Sequence, residues 1–116
     1  MKFPLNIVTY DKMIGFDIAG VGNSLRSGTV VDAPGGVKVK YQSTYACKAI
    51  GIPEVLEFIV EASVVIDLSL FSTWLYGKVK DKPVEKIIIR RREITEISEE
   101  NIRKIFEEEI NIVKSK

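Results

Sequence analysis

Apolar and polar residues alternate with a period of two through parts of the first third of the chain, whereas the middle carries one long, mostly apolar run from Ile52 to Tyr76. Pro53 opens that run and Gly77 follows it, an arrangement that favours a helix. Unbroken from Pro53 to Tyr76, such a helix would be about 35 Å long at 1.5 Å per residue. On a helical wheel Glu54, Glu57, Glu61 and Ser72 form one narrow stripe, and Leu56, Val60, Val64, Phe71, Trp74 and Leu75 occupy much of the rest. Asp67 falls on the apolar side. An acid there has to be paired, protonated or open to a pocket.

Around this helix the pattern predicts strands. Phe3 to Tyr10 reads as a first strand and Ile14 to Ile18 as a second, able to pair as a hairpin across Asp11-Lys12. A glycine-rich loop, Gly20 to Gly28, leads to Thr29–Asp32, a turn at Ala33-Pro34-Gly35-Gly36, and Val37–Gln42, with Val37, Val39 and Tyr41 inward and Lys38, Lys40 and Gln42 outward. Ser43 to Gly51 fits either a continued strand or a short helical turn. Val84 to Arg92, containing Ile87-Ile88-Ile89, reads as a strand with both faces at least partly covered. Glu93 to Ile97 either extends it or returns as a short strand of its own. Ser98 caps a last helix, with Glu99 and Glu100 in its first turn and Ile102, Ile105, Phe106, Ile110 and Val113 as its apolar stripe. The expected fold is α+β, an antiparallel sheet of four to five strands packed on one long central helix, with a C-terminal strand and helix. It forms a single domain over 1–116: a β-hairpin half (1–50), the central helix (51–77), and the strands and last helix (84–113).

Composition changes this picture little. The 116 residues are 46% hydrophobic and 28% charged, as in an ordinary globular domain. Charge is segmented: residues 78–92 hold seven basic and two acidic groups, and residues 51–77 hold four acids and no base. The single cysteine, Cys47, excludes an internal disulfide, and Met1 to Asn6 shows no signal-peptide pattern, so a cytoplasmic location is expected. Glu54, Glu57, Glu61 and Asp67 argue against the central run spanning a membrane.

Candidate chemistry is thin. There is no histidine, which excludes Ser-His-Asp and Cys-His catalysis and imidazole metal ligation. Cys47 alone cannot build a zinc site and reads as a small core residue. Gly20-Val21-Gly22-Asn23-Ser24 lacks both the third glycine of a dinucleotide fingerprint and the Gly-Lys-Ser/Thr of a phosphate loop. Asp11, Asp17 and Asp32 fit turn and surface roles. Neither cofactor nor metal is expected, and no enzymatic activity. Lys78, Lys80, Lys82, Lys86, Arg90, Arg91 and Arg92 could neutralise phosphates, although only Arg90 and Arg92 share a strand face.

From Ile52 to Glu109, an apolar helix ending in Trp74-Leu75, a basic connection, the Ile87-Ile88-Ile89 strand, a short segment and a final helix follow one another. This order resembles the second half of the effector-associated constant component domains of bacterial conflict systems, whose first half opens with a strand and a helix. The resemblance implies an accessory domain without catalysis of its own that links effectors to partners. The leading expectation is therefore a non-enzymatic adaptor acting through protein contacts or homo-oligomerisation, with Asp67, Phe71, Trp74, Lys78, Lys80, Lys82, Arg90 and Arg92 as candidate contact residues. Nucleic-acid binding through Lys78–Arg92 is the alternative.

Overall fold

A computed structural model describes residues 1–22, 24–45, 51–63 and 65–115. Its elements are β1 (Lys2–Thr9), α1 (Met13–Ala19), β2 (Val30–Ala33), β3 (Val37–Tyr45), β4 (Glu54–Ala62), α2 (Leu68–Val79), β5 (Val84–Ile89), β6 (Arg92–Ile94) and α3 (Glu99–Lys114). The fold is α+β. All six strands form one antiparallel sheet in the order β2-β3-β4-β1-β5-β6.

The long central helix does not exist. Its first half is β4 and its second half is α2, with a bend at Val65 between them. Leu56, Phe58, Val60 and Ala62 alternate strictly and are all buried, which is strand periodicity. Glu57 and Glu61, which a wheel places beside Glu54, lie on the opposite face of β4 from the core. Asp67 marks the true helix start, its Oδ1 accepting a hydrogen bond from the Leu70 amide at 3.1 Å. Gly77 lies inside α2, not beyond it.

The second strand is also corrected, since Met13–Ala19 is α1. Ile14 and Ile18 are one helical turn apart and both buried, so the spacing of their burial is i, i+4 and the half-buried Phe16 does not share it. Asp11 Oδ1 accepts from the Met13 amide at 3.0 Å, and Gly20 ends the helix at φ +70°. Having no hairpin partner, β1 instead takes the middle of the sheet between β4 and β5. The sheet accordingly has six strands, more than the four to five expected.

Other expectations hold. Pro34 to Gly36 connects the β2–β3 hairpin, with Gly35 and Gly36 at φ +88° and +79°. Ser43–Tyr45 continue β3 after an irregularity between Tyr41 and Ser43; Cys47 and Lys48 lie outside the described residues. β6 is a separate return strand, and Ser98 Oγ caps α3 by accepting from the Asn101 amide at 3.1 Å. No helix of the described residues is long and apolar enough to cross a membrane.

One core joins the elements. Phe3, Leu5, Ile7, Val37, Val39, Leu56, Phe58, Val60, Ile87 and Ile89 of the sheet meet Ile14 and Ile18 of α1, Phe71, Leu75 and Val79 of α2, and Ile102, Phe106 and Ile110 of α3. Phe106 ties the layers, lying 5.5 Å from Phe3 and 4.9 Å from Phe71 between ring centroids. All three helices therefore cover the same face of the sheet.

Candidate functional site

The candidate residues do not assemble into one site. Asp67 is an exposed helix cap; its replacement by alanine should cost about 1 kcal/mol, the usual worth of a cap. Thermal denaturation checks this, and a loss several times larger would mean that the carboxylate does more than cap. Phe71 is fully buried against Phe106 and Trp74, so it is closed to any partner. Trp74 is half-buried, with Lys78 Nζ 5.7 Å from its ring centre and 3.3 Å from Asp17 Oδ1.

The basic segment is dispersed and largely engaged. Arg90 Nη1 lies 3.6 Å from Oε1 of the buried Glu109, and Arg92 pairs with Glu108, both on α3. Lys86 pairs with Glu93 at 3.0 Å on the opposite face of the sheet. Among the described residues only Lys80, Lys82 and Arg91 of this segment have no ion pair, and the exposed Asp81 sits between the two lysines.

What the sequence reading missed is the other face of the sheet. The register builds four rows across it. The first is Asp32, Lys38, Glu61 and Lys2 on β2, β3, β4 and β1. The second, in the same strand order, is Val30, Lys40, Ile59 and Pro4. Ser43, Glu57, Asn6 and Ile88 make a third on β3, β4, β1 and β5, and Tyr45, Val55, Val8 and Lys86 a fourth. Val55, Ile59 and Ile88 are half-buried and Val30 and Tyr45 exposed, and none of them belongs to the core cluster. Ser43 Oγ donates to Glu57 Oε2 at 2.7 Å, while Lys38–Asp32 and Lys2–Glu61 each stand at 3.9 Å along the first row. The signal was the alternation in Glu54–Ala62, which fits a strand with one buried face and one mixed face.

Two shallow depressions lie elsewhere. One, of about 410 Å³, is lined by Tyr10, Asp11, Met13, Ile52 and Glu54; the other, of about 200 Å³, by Ser69, Ser72, Thr73 and the α3 residues Glu99, Glu100 and Arg103. Among the described residues Glu54 Oε2 and Ser72 Oγ are buried there without a hydrogen-bond partner. Among the described residues no group of three or more potential ligands is placed to hold a metal ion. Comparison with family models, with curated proteins and with solved structures finds nothing that matches this chain.

Proposed function

We propose that this protein is a non-enzymatic interaction module whose contact surface is the helix-free face of its sheet. The observation that carries this reading is the one-sided architecture: three helices cover one face, and the other presents apolar side chains in stripes between charged and polar ones. A continuous face of that kind offers a partner both area to bury and charges that set the register. The resemblance to accessory domains of conflict systems is compatible with it. β1 followed by α1 is compatible with the strand–helix opening that the resemblance implies, although the long apolar helix that suggested the likeness is divided between β4 and α2.

The experiment is to place a charge in the middle of this face. Val55→Asp/Ile59→Asp should remain folded by circular dichroism, because both side chains stand apart from the core, and should lose any protein, a second copy or another chain, that the unaltered protein retains from an extract of its source cells. Equal retention by both would overturn the choice of surface.

Nucleic-acid binding finds less support, because Arg90 and Arg92 hold glutamates of α3. Replacing both by alanine would weaken the fold before it tested binding.

A further inference from the structure

We infer that the partner on this face is a second copy of the chain, docked sheet to sheet about a two-fold axis that runs parallel to the strands between β3 and β4. This rests on the face proposed above. The evidence is the order of charges in the first row: Asp32, Lys38, Glu61, Lys2 alternates in sign and has an even number of members. Rotation about an axis between Lys38 and Glu61 reverses the row, laying Asp32 over the partner copy's Lys2 and Lys38 over the partner copy's Glu61. All four positions then meet an opposite charge. The row is antisymmetric, which makes it complementary to itself, the requirement of an isologous interface.

Other placements pair fewer of these charges. Moving the axis onto β4 lays Lys38 over Lys2. An axis across the strands, placed midway between the first and fourth rows, lays Lys38 over Tyr45, Glu61 over Val55 and Lys2 over Val8, so that no charge of the first row meets an opposite one. The axis between β3 and β4 also sets Val30 over Pro4, Tyr45 over Val55 and Ser43 over Glu57 in the remaining rows, with Lys40 over Ile59 as the one unlike pair. Lys40 is half-buried, so its stem already lies along the sheet. Exposed charge pairs add little affinity by themselves; they fix register and exclude wrong pairings, and the apolar rows supply the burial.

A charge swap within one chain tests this. In the proposed dimer Glu61→Lys faces the partner copy's Lys38, and like charges directly opposed should weaken self-association at least about tenfold. Adding Lys38→Glu restores opposite signs between the copies, so Lys38→Glu/Glu61→Lys should recover association to within about threefold of the unaltered protein. Within each chain the same double change places like charges at both ends of the row, against Asp32 and Lys2. Glu61→Lys alone also meets like charges at both of its neighbours, Lys38 and Lys2, so a row that served only to stabilise the monomer would leave the double variant no better than the single one. Sedimentation equilibrium up to millimolar concentration measures association, and thermal denaturation by circular dichroism confirms that each variant is folded.

A monomer throughout for the unaltered protein, or a dimer indifferent to Glu61→Lys, or no recovery in the double variant, overturns the inference. These failures separate from failure of the surface itself. If self-association is absent but Val55→Asp/Ile59→Asp abolishes retention of a different protein, the face stands with another occupant. If that variant changes nothing, the face falls as well.

Discussion

Gly35→Ala is expected to destabilise the fold by about 3–6 kcal/mol, adding about 1–2 for an L side chain in the left-handed region to about 1–3 for overpacking and about 1 for a lost hydrogen bond. The β2–β3 turn is pressed against the bend between β4 and α2. A Cβ on Gly35 would stand 2.3 Å from the Asp67 carbonyl oxygen, at a residue whose φ is +88°, and the Asp67 amide donates to the Gly35 carbonyl at 2.9 Å. The obstacle is backbone, so no side chain can swing away. Gly36 repeats the arrangement, with a built Cβ 2.6 Å from the Val65 carbonyl oxygen and the Ser63 amide donating to its own carbonyl at 3.0 Å. Against the 5–15 kcal/mol that is typical of a domain, about 4 is a large share. Urea denaturation measures it. As a control, Gly28→Ala has the same positive φ with nothing near the added Cβ, so it isolates the conformational cost from the clash. Equal midpoints for the two variants would refute the close approach.

Arg90→Ala should cost about 2–3 kcal/mol, at or just below the range for breaking a buried ion pair, because Arg90 is partly exposed. Glu109 retains 4% of its surface and has Arg90 as its ion-pair partner at 3.6 Å. Removing the guanidinium leaves a carboxylate enclosed by protein. In a Glu109→Leu background the same substitution should cost much less, and that double-mutant cycle attributes the loss to the pair. Arg90→Gly is a second check: Arg90 has φ +57°, so glycine should recover about 1 kcal/mol of the loss by relieving backbone strain. Should alanine and glycine behave alike, the turn carries no strain at this residue.

How much of this was legible depended on whether local pattern and tertiary role agreed. In the last helix they did: Ser98, the two glutamates after it and the i, i+4 sequence Ile102, Phe106, Ile110 all point to one answer, and α3 forms as read. The Pro34-Gly35 turn was legible for the same reason. The central run misled because Glu54, Glu57 and Glu61 fit a helical stripe, and because the sequence passes from β4 to α2 with no glycine or proline to interrupt it. Two signals outweighed the wheel in the structure: strict alternation from Leu56 to Ala62, and an aspartate placed to cap. The segment Met13–Ala19 failed the opposite way. Ile14, Phe16 and Ile18 satisfy period two, but Ile14 and Ile18 alone satisfy the helical turn that Asp11 starts and Gly20 stops.

The candidate surface was illegible for a different reason. Asp32, Lys38, Glu61 and Lys2 are dispersed along the chain, and only strand register brings them into line. Phe71 and Trp74 drew notice as large apolar residues, yet α3 covers Phe71, and the sequence does not say which helix packs on which.

The place of β1 sets an order of events during synthesis. Of the six strands it is made first, yet both of its neighbours come from far down the chain: Lys2 aligns with Glu61, and Leu5 with Ile89. Until β4 emerges this apolar segment lacks its neighbour on one side, and the sheet cannot close on the other until β5 has followed. The N-terminal strand thus acts as a late keystone, fitted between two halves that form after it.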